Sequence, residues 1–535
     1  MSEQNSKTLY SALWACADIL RSKMDANEYK NYLLGMVFYK YLSDNLLNYA
    51  VALLEEKVEN LAEAQSIYTD AYNDPELKDD LISALYDQFS YVLKPELTFT
   101  KLISDVYNSQ FQLEDLAQGF RDIEQSNAAF NNLFEDIDLY ARKLGASPQK
   151  QNETISNVMK GLANINLGKH DGDVLGDAYE YLIGQFASDS GKNAGEFYTP
   201  QPVSNLMTKI VLQGKENQKG FTVYDPTMGS GSLMLNVKKE TNEPETVRYF
   251  GQEINTSTYN LARMNMMLHS VAIANQNLNN SDTLGDDWPT DEPTNFDAVL
   301  MNPPYSAKWS AVKGFLDDPR FMDYGVLAPK GRADFAFLLH GFYHLKSSGT
   351  MAIVLPHGVL FRGGAEAKIR QTLLENGHIY AVIGLPANIF FNTSIPTTII
   401  ILKKDYTKRD VLFIDASERF TKKGNQNTME PHHIEEILDA YSNRKFIDKF
   451  AYVANFKELK ENEFNLNIPR YVDTFEPEPE IPLVPLMEEM TATKTELQSV
   501  EADLLELFNE LTGTNEEANA ELEAFKQLLK GGVNE

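Results

Sequence analysis

Between Gly220 and Lys404 the chain sets short apolar runs apart by helix-length segments: "GFTVYDPTMGSGSL", "VRYFGQEI", "FDAVLMNPPYS", "GTMAIVLPHGVL", "IYAVIGLPANIF" and "IPTTIIILKK". Runs of this length, bounded by turn formers, read as strands, and their alternation with helices predicts a mostly parallel sheet covered on both faces. The fold class is therefore α/β. Such sheets bind ligands outside the carboxyl ends of their strands. The conspicuous polar residues fall at those ends: Asp225, Glu253 and Asn302.

The flanks have a different texture. From Leu9 to about Asn164 the pattern is helical, with Leu9, Leu13, Cys16 and Leu20 on one face and Tyr29, Leu33 and Val37 continuing it. After Tyr471, "EPEPEIPLVP" reads as an extended acidic linker. Leu486, Met490, Thr493, Leu497, Val500, Leu504, Leu507 and Leu511 then follow alternating steps of four and three, a heptad seam that wants a partner helix. It breaks at "TGTN", before a second amphipathic segment with Leu522, Phe525 and Leu529. The expected division is a helical domain over 1–165, a catalytic domain over 166–472, and a linker with a helical tail over 473–535.

At 43% hydrophobic residues, the 535-residue chain can bury large cores. One cysteine, Cys16, excludes a disulfide framework and a cysteine-rich zinc site. "MSEQNSKTL" lacks the apolar stretch of a signal peptide, and no apolar run is long enough to span a bilayer, so a cytoplasmic location is expected. The formal net charge is −29, from 48 basic and 77 acidic residues. A free-standing nucleic-acid binder usually shows the opposite balance, because Lys and Arg supply most non-specific affinity for phosphate. If this chain works on DNA, a more basic partner does much of the holding.

"VYDPTMGSGSL" carries a strand into Asp225, then Gly229 and Gly231 at the entry to a helix. Glycines let a ligand approach the backbone, and the helix N-terminus offers amide donors. The dinucleotide fingerprint is missing, since Met234 stands where a third glycine belongs, and no lysine has the spacing of a phosphate-binding loop. Glu253 ends the next strand, where an acid accepts from ribose hydroxyls. Asp282 follows in "NSDTLGDDW", placed to accept from an adenine amino group. A pocket for adenosine without a phosphate cradle points to S-adenosylmethionine.

"DAVLMNPPYSAKW" then narrows the chemistry. Pro303 and Pro304 cannot donate to a sheet ladder, so they end the strand and hold Asn302 and Tyr305 in a stiff loop. An aromatic exocyclic amine is a poor nucleophile, its lone pair being delocalised into the ring. The side-chain oxygen of Asn302 and the carbonyl of Pro303 can accept both amino hydrogens, localise the lone pair and aim it. Pro304 keeps the acceptors converging, and Tyr305 can stack on the base. No strong general base is needed, since the amine becomes acidic only after methylation.

Together, the Asp-Pro-x-x-Gly-x-Gly-x turn over Asp225 to Ser232 and the Asn-Pro-Pro-Tyr over Asn302 to Tyr305 resemble the amino-methyltransferases that act on adenine in DNA. "GEFYTPQPVSNLM", from Gly195 to Met207, resembles the segment that precedes the glycine turn in their γ arrangement. With the helical flanks, nearly the whole chain resembles the methylation subunit of type I restriction–modification systems. The resemblance implies a Rossmann-like S-adenosylmethionine-dependent methyltransferase sheet with an N-terminal α-helical domain and a C-terminal helical tail. It implies cofactor contacts from Glu196, Phe197, Tyr198, Thr199, Pro200, Gln201, Ser230, Ser232 and Glu253, and a second base-stacking aromatic at Phe390 or Phe391. The implied partners are double-stranded DNA, a specificity subunit that selects the site, a second methylation subunit and a restriction subunit.

Two other readings compete. Asn-Pro-Pro-Tyr also serves methyltransferases acting on glutamine side chains or RNA bases, because a planar amide poses the same nitrogen problem. A non-catalytic scaffold is the other. His340 and His344, one turn apart, lack the intervening glutamate of a zinc protease, so no metal is expected.

Overall fold

The run from Phe296 to Met301 is a strand buried along its whole length. In the computed structural model it sits near the middle of a nine-stranded sheet. The structure describes residues 13–163, 165, 172–189, 198–390, 394–424, 426–475 and 482–532. In chain order the strands are β1 (Thr222–Asp225), β2 (Arg248–Gln252), β3 (Gln276–Asn279), β4 (Phe296–Met301), β5 (Leu345–Pro356), β6 (Ile379–Gly384), β7 (Thr397–Lys403) and β8 (Val411–Asp415), followed by β9 (Thr421–Lys423), β10 (Gln426–Thr428) and β11 (Ala451–Ala454). The large sheet runs β11-β8-β6-β7-β5-β4-β1-β2-β3, and β9 and β10 form a separate hairpin.

Strands β3, β2, β1, β4 and β5 are mutually parallel. The chain steps from β1 out to β2 and β3 on one side, then returns to place β4 on the other. The order therefore reverses at β1, and the crevice outside β1 and β4 is the position such sheets use for ligands. Strand β7 runs against both neighbours, and β11 against β8, so the mostly parallel expectation holds with two antiparallel strands. Strand β3, "QNLN", carried no apolar signal because it lies half-buried at an edge.

Helices cover both faces. One core layer gathers Val203, Leu206, Val223 and Ala298, and the opposite layer gathers Tyr224, Val299, Phe337 and Leu339. Their alternation along β1 and β4 is the period of two that a two-faced sheet demands.

The N-terminal region is helical as expected. Leu13, Cys16, Leu20, Tyr29, Leu33 and Val37 are buried in one core, while Leu9 lies outside the described residues. That core is continuous with Leu261, Met264 and Leu268 of the helix Thr256–Leu268, which follows β2. Polar ties reinforce the contact: Arg263 Nη1 donates to the Asn131 carbonyl at 2.9 Å, and Asn31 Nδ2 to Ser257 Oγ at 2.8 Å. Residues 1–473 accordingly form one compact unit, and 474–535 a second. The second unit holds helices Leu483–Asn509 and Glu516–Gly532. Leu483, Val484 and Pro485, read above as linker, form the first turn of its long helix, where a missing N–H costs nothing. Leu511 falls just past that helix, so the seam ends one member early. Among the described residues no helix is long and apolar enough to cross a membrane.

One buried carboxylate locks the strands that form the crevice. Asp297 on β4 accepts from the Thr222 amide at 3.1 Å and Thr222 Oγ1 at 2.8 Å on β1, and from Lys346 Nζ at 2.8 Å on β5. Burial would raise its pKa, but the hydrogen bonds from Lys346, Thr222 and Gln218 outweigh it and hold the carboxyl below its usual value. A depressed folded pKa stabilises the fold above the unfolded value near 3.9 and loses that contribution as pH falls through the folded value. Asp297→Ala should therefore cost about 2–3 kcal/mol at neutral pH, because it strands donors around a buried position. Urea melts at neutral and acid pH should show this difference shrinking below about pH 4.

Candidate active site

Asp225 closes β1, and the chain turns sharply through Pro226 to Gly231 before the helix Ser232–Glu240. Gly229 and Gly231 take φ of 54° and 78°, the left-handed region that glycine enters without strain. The Met228 amide reaches across to the Gln252 carbonyl at 2.9 Å, and the Gly229 amide to Glu253 Oε2 at 3.2 Å, so β2 braces the turn. Burial pushes the Asp225 carboxyl up to about 7 against hydrogen bonds from Thr227, and the charge of Glu253 adds to the rise. Two acids at adjacent strand ends thus share the site with one of them partly protonated near neutral pH.

Two recesses meet at this turn. The narrower is walled by Tyr198, Thr199, Asp225, Gly229, Ser230, Ser232 and Asn302. The wider is a cavity of about 720 Å³. The carboxylates of Glu253 and Asp282 line it beside the apolar side chains of Ile254, Leu284 and Phe337, with Pro304 at one edge. Thr227 borders both. Thr283 Oγ1 donates to the Pro226 carbonyl and so ties the Asp282 segment to the turn.

Asn302 ends β4 in the narrow recess, buried at 7% exposure. Its Nδ2 donates to Thr199 Oγ1 at 3.2 Å, and its Oδ1 accepts from the Tyr305 hydroxyl at 2.9 Å. Tyr305 packs edge-on against Phe390, with centroids 6.2 Å apart. Burial raises the Tyr305 phenol well above its usual pKa, so it remains a donor. Pro303 is buried, and Pro200 caps the helix Gln201–Leu212, whose first residue donates to Glu180. Among the expected residues, Glu196, Phe197 and Phe391 lie outside the described residues.

Several wall residues went unnoticed in the sequence. Ile254 and Phe337 offer apolar surface to the wide cavity, yet in sequence they read as an ordinary neighbour of Glu253 and a core position of an apolar helix. Lys30 and Asn31 reach the same cavity from the N-terminal helix Ala26–Leu53, which sequence reasoning treats as scaffold. No local signal marks them, because the contact exists only once the helical layer packs on the helix Thr256–Leu268.

Beneath the cavity lies a polar network. Tyr224 Oη meets Gln252 Oε1, the Trp288 carbonyl and His340 Nε2, each at 2.8 Å. Arg320 Nη1 contacts His340 Nδ1 at 3.1 Å and donates to the Thr283 carbonyl at 3.1 Å. His344 reaches the Thr294 carbonyl at 2.6 Å and Asp287 at 3.1 Å. Ligand atoms of Asp287, His340 and His344 thus lie within 4.8 Å of one another, an arrangement the sequence spacing did not reveal. Each imidazole nitrogen already has a hydrogen-bonding contact, and the network fastens the segment that carries Asp282.

Residues 170–480 match the family model described as N-6 DNA methylase, and residues 9–162 match that of the HsdM N-terminal domain. The chain belongs to the N-6 DNA methylase family. It is 36% identical over 488 residues to the type I restriction enzyme MpnII methylase subunit of Mycoplasma pneumoniae, covering 86% of this chain and 88% of that protein. The MjaIX methylase subunit of Methanocaldococcus jannaschii is 28% identical over 86% of this chain and 83% of its own. A crystal structure of a type I restriction–modification methyltransferase subunit from Streptococcus thermophilus superposes with a TM-score of 0.86 at 66% identity, covering 88% of this chain and all of that one.

This methylase transfers the methyl group of S-adenosylmethionine to the 6-amino group of adenine in DNA. The pocket suits that cofactor: acceptors at strand ends, apolar faces for a planar ring, and a glycine turn that borders the narrow recess. Gly231→Ala tests the turn. At φ of 78° an added Cβ is strained by about 1–2 kcal/mol, and it would stand 3.3 Å from Met266 Cε. Thermal melts should show a lower midpoint, and cofactor titration a weaker Kd.

Proposed function

We propose that the narrow recess holds the methionine end of S-adenosylmethionine and the wide cavity its adenosine, with the target adenine entering between Tyr305 and Asn302. The observation that carries this reading is the position of Asn302, which borders the recess through Thr199 and the aromatic pair through Tyr305. The cofactor supplies an electrophilic methyl group on a sulfonium. Everything else falls to the protein.

Glu253 accepts from the ribose hydroxyls, Asp282 from the adenine amino group, and Ile254 and Phe337 cover the ring faces. Asp225, Gly229, Ser230, Gly231 and Ser232 form one wall of the methionine end, and Tyr198 and Thr199 the other. Asn302 Oδ1 and the Pro303 carbonyl accept the two hydrogens of the target amine, localising its lone pair toward the methyl carbon. For this, Asn302 must exchange the Tyr305 hydroxyl for the substrate amine, so Tyr305 moves as the base arrives. Its ring then stacks on the base, with Phe390 or Phe391 on the opposite side. The adenine leaves the duplex first, because its amino group cannot reach a strand-end pocket while stacked.

Asn302→Ala should lower the methyl-transfer rate by about 10²–10³-fold with cofactor affinity nearly intact, as loss of a positioned transition-state contact does. Glu253→Ala should weaken cofactor binding by about 1–3 kcal/mol through loss of charge-assisted hydrogen bonds. Calorimetry and single-turnover methylation measured on both variants separate the two roles. Loss of cofactor binding in folded Asn302→Ala would sink its assignment.

The chain works as the modification subunit of a type I restriction–modification complex, as its relatives' names say of them. In this reading two copies embrace double-stranded DNA around a specificity subunit, a restriction subunit joins the full complex, and the assembly is cytoplasmic. The division at residues 165 and 472 into helical, catalytic and tail parts is supported by the two matched ranges. The −29 charge supports delegating most DNA contact to a partner. The tail seam is the surface for that partner: Leu497 and Val500 are more than half exposed on the helix Leu483–Asn509, while Phe508 meets Phe525 of the second tail helix at 5.3 Å. Truncation before Leu486 should leave cofactor binding intact and abolish both co-elution with the specificity subunit and methylation of specific DNA. Normal co-elution by the truncated chain would return the seam to another use.

A further inference from the structure

Glu180 stands on the helix Gly172–Asp189, among none of the residues assigned above. Its side chain is 3% exposed. On one side its Oε2 accepts a hydrogen bond from Gln201 Nε2, at the start of the helix that follows Tyr198, Thr199 and Pro200. On the other side Asn265 and Ser232 face the same carboxyl. Asn265 Nδ2 donates to the Ser230 carbonyl at 3.0 Å, and Ser232 Oγ pairs with Ser230 Oγ at 3.0 Å. Both walls of the narrow recess therefore meet on one buried carboxyl that belongs to neither.

We propose that Glu180 is a positioning residue for methyl transfer, joining the Tyr198–Gln201 wall of the cofactor recess to its glycine-turn wall. This rests on reading the recess as the methionine end of the cofactor site.

The geometry also says in which form Glu180 acts. Its Oε1 has no hydrogen-bond donor, and Asn265 Oδ1 has none either. A buried carboxylate with an unfilled oxygen is costly, whereas a proton on the carboxyl supplies the donor this acceptor-rich cluster lacks. Burial pushes Glu180 up to about 7; Lys239 opposes the rise, Asp177 adds to it, and the nearby polar side chains of Asn265 and Ser232 oppose it. Four titratable groups face it. Lys239 is paired with Asp177 across from the helix Ser232–Glu240, His269 Nε2 lies 3.9 Å from Glu180 Oε1 at the end of the helix Thr256–Leu268, and the Tyr198 phenol is raised chiefly by burial. With the folded value raised, the neutral acid joins the walls below about pH 7, and the joint weakens as the carboxyl ionises above it.

The test is titration with S-adenosylmethionine by calorimetry at about pH 6 and pH 8, either side of the shifted value, for wild type, Glu180→Gln and Glu180→Leu. Glu180→Gln keeps a neutral donor in place of the acid. It should match the wild-type Kd at the lower pH and bind about tenfold tighter than wild type at the higher, one pH unit above the shifted value corresponding to a factor of about ten. Asp225 titrates in the same range but is common to both proteins, so it cancels in their ratio. Glu180→Leu should raise Kd and KM about tenfold at the lower pH, as loss of one buried hydrogen-bonding contact does, and approach the wild-type values at the higher, with kcat changed much less. At the lower pH, a wild-type Kd in Glu180→Leu, or in Glu180→Gln a loss as large as in Glu180→Leu, overturns the proposal. Glu253→Ala in the same titration marks the cofactor reading separately: if it binds normally, that reading fails, whatever Glu180 does.

Discussion

The site depends on the reversal of strand order at β1. With β2 on one side and β4 on the other, both parallel to it, three carboxyl ends open into one crevice. Asp225, Glu253 and Asn302 come from strands separated by tens of residues, yet they are neighbours because each stands at the carboxyl end of its strand, Asp225 as its last residue and the other two just beyond. Asp297 holds β1, β4 and β5 together at their opposite ends, through Thr222 and Lys346. A slip of one residue in β4 would turn Asn302 to the other face, so the register of a buried strand and the aim of its terminal amide are the same constraint.

Around that frame the chemistry divides by rigidity. The glycine turn is braced from β2, and Asn302 is held by two prolines and Thr199, so both are pre-organised. In the proposed reading the target base enters the contact between Tyr305 and Phe390, and Asn302 Oδ1 is engaged by the Tyr305 hydroxyl. Such an arrangement keeps a buried acceptor satisfied until a better donor arrives, which favours an amine able to fill both acceptors.

The helical layer is more than a support. Its core runs without interruption into the helix Thr256–Leu268, and from it Lys30 and Asn31 reach the wide cavity while Glu180 accepts from Gln201 behind the narrow recess. The walls of both recesses are thereby linked to the packing of a region that carries none of the recognisable motifs. A separable helical domain over 1–165, as the sequence suggests, would not have this property.

Sequence alone determined the α/β class, the polar strand ends and most of the residues around the narrow recess, and its resemblance to a known family supplied the adenine methyltransferase chemistry. These are local statements: a strand must be apolar, a sharp turn needs glycine, and an aimed amide needs a stiff loop, so each leaves its mark within a few residues. Tertiary structure alone decided the strand order, the antiparallel β7 and β11, the edge strand β3, and the part played by Lys30, Asn31, Phe337 and Glu180. Those residues look ordinary in sequence, as a helix surface lysine, an amide, a core aromatic and an acid among helix formers. Their roles come from which element packs on which, and that is set by the sum of many weak apolar contacts rather than by any motif.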